Sequence, residues 1–279
     1  MTSENLTFEK NVSAAAHINP SSFLSPTIKA WRFFLQDQGV SPHTEKAFLS
    51  DLNLFASYFP PDRSIGQIST VDINQFLDWM QNKRGDPCSP KTLARRITSI
   101  KAFFRWLNQF GVLMIDPAEK VPQKSAISPL PIVLTEAETE TVLEAAEKLR
   151  RAEKPDARPL ALAALLFEAG IKKSECLGLT MNHLELDAPG GPRIFIRYPG
   201  SQNRFKERKI SLGESWKTVF LEYAAQYDIR DRLFPWSQRR LEYILEDLGK
   251  AAGLEKHLSF DMCRWTCTLR DWRTGMEHE

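Results

Sequence analysis

Apolar residues recur at helical spacing through the first part of the chain, and short segments of serine, glycine or proline separate one run from the next. Each run follows a serine, and three of the four serines precede a proline, whose missing N–H costs nothing in a first helical turn. The four serines are Ser25, Ser41, Ser69 and Ser89. Gly39 and Pro60-Pro61 close the first two runs. The pattern predicts a domain of four helices over residues 21–115.

The fourth of these helices has two unlike faces. Its apolar face repeats every three or four residues, at Leu93, Ile97, Ile100, Phe104 and Leu107. Basic and hydroxyl side chains that can hydrogen-bond phosphate oxygens are grouped at its start and on its other side: Lys91, Thr92, Arg95, Arg96 and Ser99. They predict an exposed DNA-binding surface. A face that only keeps the helix solvated is the alternative.

A second domain is predicted over residues 134–279, after a linker rich in proline and serine over residues 116–133. Thr135 is the expected N-cap of its first helix. Helical patterns cover residues 136–153, 158–169, 215–226 and 238–252, and a last helix starts near Ser259 and still runs at Thr274. The alternating segment 193–198 is expected to pair with segment 208–212 as an antiparallel hairpin. The predicted fold class is therefore mainly α with a small antiparallel sheet, in two domains.

Composition narrows the class of protein without deciding its function. Hydrophobic residues make up 42% of the chain and charged residues 26%, as in ordinary globular proteins. No apolar run is long enough to span a membrane, so we expect no membrane partner. Residues 1–20 lack the apolar core of a secretory signal and predict a flexible tail.

The four cysteines, Cys88, Cys176, Cys263 and Cys267, lack the paired spacing of a zinc site. They are expected to be buried free thiols in a reducing cytoplasm. A metal site made by Cys263, Cys267 and the nearby His257 is the alternative. We therefore expect a cytoplasmic protein with no metal and no cofactor.

Positive charge is unevenly distributed along the chain. The net charge is only +2, but between Lys83 and Arg105 seven basic residues accompany a single acid, Asp86. Such a local excess suits a polyanion such as DNA, although charged runs of this kind are more often solvated helix faces.

Six segments in the first half of the chain follow the order of one known family. They are a tryptophan-containing first helix ending at Gly39, then SPHTEKAFLSDLNLF (41–55), ISTVDINQFL (68–77), SPKTLARRITSIKAFFRWL (89–107), DPAEKV (116–121) and LPIVLTEAE (130–138). Together they resemble the core-binding, SAM-like domain of the tyrosine recombinases, also called phage integrases, and most of all the Xer branch. The resemblance implies an N-terminal four-helix domain that binds DNA.

The second domain continues the resemblance, which implies an α+β integrase-like catalytic domain. AGIKKSECLGLTMNHLEL (169–186) resembles the segment that carries the first catalytic arginine, and the hairpin 193–212 resembles the segment with the catalytic lysine. Residues 231–254 resemble the approach to the third segment. LSFDMCRWTCTLRDWRTG (258–275) resembles the histidine-x-x-arginine box, with Arg264 at the arginine.

The resemblance implies site-specific recombination or integration of double-stranded DNA, with other protomers on the same DNA as candidate partners. It implies no cofactor and no small-molecule substrate. In this family a tyrosine oxygen attacks a DNA phosphodiester and forms a covalent 3′-phosphotyrosyl link. No metal takes part, so arginines, a lysine and histidines stabilise the charged transition state.

This chain departs from the family pattern at most of the implied catalytic positions. Lys172 stands where the first arginine is expected, and lysine keeps the charge but lacks the two-pronged guanidinium. Asp261 stands at the box histidine, three residues before Arg264. The carboxylate of Asp261 is expected to pair with Arg264 or with Lys172. A helix-capping role beside Ser259 is the alternative.

The hairpin lysine has no unique counterpart. In strict register from Gly200 its position falls on Ser201, whereas a loop longer by two residues places it on Arg204 or Lys206, and we favour Lys206. The implied catalytic positions are therefore Lys172, Lys206, Asp261 and Arg264. Further DNA-binding residues are expected at Lys173, Arg204 and Arg208.

No tyrosine occupies the position of the nucleophile. The five tyrosines are Tyr58, Tyr198, Tyr223, Tyr227 and Tyr243, and residues 265–279 contain none. We expect a degenerate catalytic domain that lacks its C-terminal part and is unable to cleave DNA as this chain. Two alternatives remain: a fragment of an active recombinase whose nucleophile lies beyond residue 279, and a protein-interaction module that does not contact DNA.

Overall fold

The computed structural model describes residues 15–85, 87–123 and 129–275. Backbone contacts divide the chain into two compact units, Met1–Pro129 and Leu130–Glu279. The division falls inside the predicted linker, of which residues 124–128 lie outside the described residues. Residues 1–14 of the predicted tail also lie outside them. Each unit has its own hydrophobic core.

The first unit contains the four predicted helices. They are α1 (Leu24–Asp37), α2 (Pro42–Ser57), α3 (Thr70–Asp78) and α4 (Pro90–Gln109). A 3₁₀ turn at Ile65–Gln67 precedes α3, and a π-helical turn at Trp79–Lys83 continues it. The prediction of a four-helix first domain is confirmed.

Serine caps set the start of three of these helices. The hydroxyls of Ser41, Ser69 and Ser89 accept hydrogen bonds from the backbone N–H groups three residues on. The prediction for Ser25 is wrong, because α1 begins at Leu24 and follows Phe23, which provides no side-chain cap. Pro26 is tolerated there because the first-turn N–H groups have no helical partner in any case.

Aromatic rings fill the core of the first unit. Phe55 stands at its centre, with its ring centroid 5.1 Å from that of Phe76 and 6.1 Å from that of Phe104, both edge to face. This core extends past the predicted domain end, because Ala118 and Val121 are 0% and 2% exposed. Residues 116–121 were assigned to the linker by the sequence, whereas the side chains of Ala118 and Val121 pack on the first unit.

The second unit is built around one buried helix. Its helices are α5 (Glu136–Arg150), α6 (Arg158–Ala169), α7 (Lys173–Gly178), α8 (Glu214–Tyr227), α9 (Gln238–Ala251) and α10 (Phe260–Arg273). Helix α6 is apolar nearly all round and packs against α5, α8, α9 and α10. Thr135 caps α5 as predicted. Its hydroxyl accepts a hydrogen bond from the backbone N–H of Glu138, and the Glu138 carboxylate accepts one from the backbone N–H of Thr135.

A three-stranded antiparallel sheet lies in the second unit, with strand order β1-β2-β3. The strands are β1 (Leu184–Glu185), β2 (Arg193–Ile196) and β3 (Arg208–Ser211). The predicted hairpin is confirmed, with Arg193 opposite Ser211 and Ile196 opposite Arg208. Sequence patterning missed β1, which is too short for alternation to be read.

The two ends of the second unit are joined. The backbone N–H of Leu134 donates to Oγ1 of Thr266 in α10 at 3.0 Å. Nζ of Lys256 donates to the Val133 carbonyl at 3.2 Å and pairs with Glu138 at 2.7 Å. The last helix ends at Arg273, before Gly275 at φ +82°, so the prediction that it still runs at residue 274 is wrong.

Within the described residues, no helix combines the length and the apolarity needed to cross a bilayer.

Candidate active site and nucleic-acid interface

The turn that carries Lys172 is held against α10 by a glycine. Gly170 ends α6 in the left-handed region at φ +56°. A Cβ added to Gly170 would lie 3.0 Å from Sγ of Cys267 and 4.0 Å from the carbonyl oxygen of Arg264. The absence of a side chain therefore lets α10 approach, and it brings the backbone of Arg264 beside the turn of Lys172.

A buried carboxylate connects this turn to the hairpin. The side chain of Glu175 is 2% exposed. Its oxygens accept hydrogen bonds from the Lys172 backbone N–H at 2.8 Å and from two nitrogens of Arg208 at 3.1 and 3.2 Å. The hydroxyl of Tyr198 also donates to Glu175. The sequence segments expected to carry the first arginine and the lysine are thus joined through one side chain.

The hydrogen bonds keep Glu175 ionised. Burial alone would raise the pKa of its carboxyl, but the donors Arg208, Tyr198 and the Lys172 N–H outweigh burial and hold the pKa below its usual range. Burial and then the Glu175 carboxylate raise the pKa of Tyr198. The guanidinium of Arg208 is paired with Glu175, so it is less free to make the direct DNA contact that we predicted.

Lys172 and Arg264 have no acidic partner among the described residues. Lys172 is exposed, and its ammonium group forms no hydrogen bond or ion pair with a described residue. Arg264 is half-buried, with its guanidinium 5.5 Å from the ring centroid of Trp265. Both charges are therefore available to an anion.

Asp261 does not neutralise these cations. In the described part of the chain it forms no ion pair, so the expected pairing with Arg264 or Lys172 is wrong. Asp261 lies in the first turn of α10, where a negative charge is favoured by the helix dipole. The cap itself is Ser259, whose hydroxyl accepts the N–H of Met262 at 3.3 Å.

A cavity of about 260 Å³ opens beside Asp261 and has mixed charge. Lys173, a predicted DNA contact, lines it and pairs with Glu242 at 2.8 Å. Arg239 and Tyr243 line it as well, and Nε of Arg239 donates to the Tyr243 hydroxyl at 2.8 Å. Sequence reasoning missed these α9 residues; their i, i+4 spacing on a capped helix was the available signal.

The hairpin tip, defined as the 3₁₀ turn Ser201–Lys206, carries the other predicted cations. Nζ of Lys206 donates to the side-chain oxygen of Asn203 at 3.0 Å and lies 5.0 Å from the ring centroid of Phe205. Arg204 is exposed and has no side-chain partner in the described ranges. The tip is thus cationic, while Arg208 at its base holds Glu175.

The predicted surface of α4 is organised by a buried acid in α2. Asp51 is 2% exposed; it pairs with Arg95 at 2.5 Å and with Arg96 at 3.4 Å, and it accepts a hydrogen bond from the Ser99 hydroxyl at 2.8 Å. Ser99 is 0% exposed, so its prediction as a surface DNA contact is wrong. One helical turn beyond Arg95, its side chain faces α2 instead of solvent.

Exposure separates the remaining α4 residues. Lys91 is exposed and has no ion pair within the described residues. The Arg95 side chain is 42% exposed and that of Arg96 only 14%. The Thr92 hydroxyl accepts a hydrogen bond from Ser89 at 2.9 Å, within the helix cap. Lys91 and the outer part of Arg95 are therefore the groups that a ligand would meet first.

The cysteines are free thiols. Burial raises the pKa of Cys176, Cys263 and Cys267 to about 12 in each case. Cys88 is only half-buried, which departs from the prediction that all four are buried. Among the residues with described positions, no group of histidine, cysteine or acidic side chains has a metal-binding arrangement.

Comparison with known proteins shows which fold this chain has. Residues 28–111 match the family described as phage integrase, N-terminal SAM-like domain. A lambda integrase dimer bound to a COC′ core site superposes with a TM-score of 0.70 at 14% identity, covering 91% of both chains. XerH bound to its palindromic difH substrate superposes with a TM-score of 0.69 at 17% identity, and the match covers 97% of this chain and 85% of XerH. The chain has the tyrosine recombinase fold.

Sequence comparison finds relatives among the Xer recombinases. XerD of Listeria innocua is 29% identical over 191 residues, 68% of this chain and 61% of XerD. XerC of Lacticaseibacillus casei is 25% identical over 250 residues, 85% of this chain and 82% of XerC. XerC of Mycobacterium tuberculosis is 34% identical over 182 residues, which are 63% of this chain and 56% of that XerC. The chain is similar in sequence to Xer tyrosine recombinases, and it covers about three fifths of the length of the XerD relative.

Proposed function

We propose that this chain binds double-stranded DNA in a site-specific recombination or integration system and does not cleave DNA by itself. The observation that carries the DNA-binding proposal is a pair of cations with no acidic partner among the described residues. They are Lys172 and Arg264, on segments brought together by Gly170. A phosphodiester is the anion that these positions hold in the family the chain resembles. The cationic hairpin tip and Lys91 on α4 supply further phosphate contacts.

The comparisons support the kind of system. The curated relatives are recombinases by name, and XerH and lambda integrase were solved on DNA. Because this chain covers 61% of the length of the XerD relative, strand exchange by the whole protein is a proposal for this chain. Other protomers on the same DNA are proposed partners, and the cytoplasm is the proposed location.

The environments of Tyr223 and Tyr198 support the absence of cleavage by these two side chains. Tyr223 is buried and donates its hydroxyl to the Leu233 carbonyl at 2.6 Å, and burial raises its pKa far above the ordinary value. Tyr198 donates to Glu175, and burial followed by that carboxylate raises its pKa. A nucleophilic phenol needs the opposite, a stabilised phenolate facing the phosphate.

The cation set is also weaker than the family plan. Lys172 keeps a positive charge but offers no fork to two phosphate oxygens. Losing one donor to a transition state typically costs ~3–4 kcal/mol, roughly a hundred- to thousandfold in rate. Asp261 puts a negative charge at the position of the family's box histidine, and a carboxylate cannot stabilise the charge of a phosphorane. Both substitutions therefore weaken the stabilisation of the transition state.

DNA binding is tested by gel retention of a duplex over a series of salt concentrations. We expect the logarithm of the affinity to fall linearly with log salt. K172A and R264A should each lower the slope by about 0.9, the value for one phosphate. K148A is the matched control. Lys148 is exposed on α5 and has no ion pair within the described part of the chain, so its removal should leave the slope unchanged. Absence of duplex retention by the wild type would contradict the proposal.

Cleavage is tested with a nicked suicide substrate that traps a covalent protein–DNA adduct. We expect no adduct. If one forms, Y243F identifies its origin, because Tyr243 is 41% exposed, accepts a hydrogen bond from Arg239 and lines the cavity beside Asp261. An adduct formed by the wild type and lost in Y243F would overturn the non-cleaving part of the proposal.

The protein-interaction alternative is tested by charge reversal at residues whose folding role is small. Arg95 and Arg96 are unsuitable, because a new acid there would face the buried Asp51. Lys91 and Arg204 are exposed and unpaired in the described structure, so K91E and R204E change the surface alone. Loss of duplex retention in both, with unchanged thermal unfolding, supports DNA binding; unchanged retention would favour the alternative.

The fragment alternative is decided by the gene. An in-frame continuation after the codon for Glu279 that encodes a tyrosine would favour it, and cleavage would then be tested on the longer protein.

A further inference from the structure

The hairpin tip presents one large apolar side chain to solvent. Phe205 is 79% exposed, while the neighbouring Asn203, Arg204 and Lys206 are polar or charged. A single exposed phenylalanine is ordinary on a protein surface. Its setting is what distinguishes Phe205 from the other exposed apolar residues.

Cations flank the ring on both sides in sequence. Nζ of Lys206 lies 5.0 Å from the centroid of the Phe205 ring, and Arg204 is exposed without a side-chain partner among the described residues. Alternation of cation, aromatic ring and cation matches a ligand that alternates phosphates with flat apolar faces. Nucleic-acid bases between their phosphates have that chemistry.

The tip is also tied to the candidate phosphate site. Arg208 shares the Glu175 carboxylate with the backbone N–H of Lys172. Phe205 is three residues from Arg208, so its Cα lies at most about 11 Å from that of Arg208. The ring is therefore within a few base steps of a phosphate held by Lys172.

We propose, on the basis of the DNA binding proposed above, that Phe205 is a wedge that contacts bases beside the bound phosphate. The ring enters an opened base step while Arg204 and Lys206 hold the flanking phosphates. Insertion of an apolar side chain requires unstacking, which is easiest at mismatches and at flexible pyrimidine–purine steps. The preferred substrate class is thus duplex DNA that is locally unpaired or readily opened.

An anionic lipid surface is the other ligand that such a tip can meet. Membrane binding scales with the buried apolar area, and the described neighbours of Phe205 in the turn add none. A single ring between cations therefore favours DNA, and vesicle binding becomes an outcome of the test.

The test compares a short perfect duplex with the same duplex carrying a central mismatch that includes a fluorescent 2-aminopurine. We expect the wild type to prefer the mismatched duplex, and F205A to lose roughly five- to hundredfold in affinity for it. The salt slope of F205A should stay unchanged, because no phosphate contact is removed. F205W should retain the preference and the change in 2-aminopurine fluorescence.

Leu221 supplies the matched control. It is 49% exposed on α8 of the same unit, and L221A should bind both duplexes like the wild type. Equal mismatch preference of F205A and wild type would overturn the wedge and leave DNA binding intact. Failure of the wild type to retain any duplex would overturn both proposals. Binding of phosphatidylglycerol vesicles that F205A abolishes, without any effect on DNA, would assign the ring to a lipid surface instead.

Discussion

Two guanidinium nitrogens of Arg208 reach the two carboxylate oxygens of Glu175, at 3.2 and 3.1 Å. The pair joins β3 to the turn that carries Lys172, and the carboxylate is buried whereas the Arg208 side chain is 40% exposed. This ion pair is stronger than an ordinary surface pair because each carboxylate oxygen accepts a hydrogen bond from its own guanidinium nitrogen.

Replacement of Glu175 by glutamine should therefore destabilise the second unit. We expect a loss of about 1–3 kcal/mol, below the full cost of breaking a buried pair because Arg208 can hydrate. Urea unfolding measures it. E185Q is the matched control, since Glu185 and Lys209 are both 50% exposed and should contribute at most about 0.5 kcal/mol. Equal losses in the two variants would show that Glu175 has no special role.

The same carboxylate predicts a dependence of stability on pH. The pKa of Glu175 is lower in the folded protein than its ordinary value of 4.5. A depressed pKa contributes stability above the unfolded value, and that stability is lost as pH falls through the folded value. The stability difference between wild type and E175Q should therefore be full near neutral pH and shrink below about 4.5. A difference that grows on acidification would contradict this assignment.

Asp51 should be essential to the first unit. D51N leaves Arg95 and Arg96 without their counter-charge, and Arg96 is only 14% exposed, so we expect a loss of about 2–4 kcal/mol. D78N removes an exposed pair with Lys83 in the same unit and should cost at most about 0.5 kcal/mol. Thermal or urea unfolding of the two variants decides whether burial sets the difference.

Gly170 should resist substitution for two separate reasons. Alanine at φ +56° costs about 1–2 kcal/mol in backbone strain, and its Cβ would lie 3.0 Å from Cys267. G253A isolates the first reason, because Gly253 has φ +70° and nothing within 4 Å of its Cβ position. We expect G170A to lose about 1–3 kcal/mol more than G253A. Similar losses would mean that α10 yields easily at this contact.

Local signals account for most of the fold that the sequence predicted. Ser69 and Thr135 predict helix starts because their capping partners lie only three residues further along the sequence. The hairpin follows from alternation in β2. Strand β1 was not predicted because two residues do not define an alternating pattern. The burial of Ala118 was not predicted because a short turn has no periodic pattern of apolar residues.

The candidate site was predictable only in its residue types. Lys172 and Arg264 could be placed by motif, but their lack of partners is a fact of three dimensions. Ser99 was assigned to the surface because its acid, Asp51, lies 48 residues away in sequence. Glu175 likewise gathers partners from a strand 33 residues on. Burial of a charge depends on such distant partners, which pattern reading cannot supply.

The bond between Leu134 and Thr266 has a consequence for the order of folding. Its two ends are 132 residues apart, and Lys256 closes a contact of similar span on Val133 and Glu138. Contacts of long sequence separation form slowly, because closing a long loop costs chain entropy before the contact stabilises the fold. During synthesis the first unit has its described core complete at Val121, whereas the second unit must wait for α10 to leave the ribosome. Until then the hydrogen bond between Leu134 and Thr266 cannot form, so the second unit completes its fold after the first.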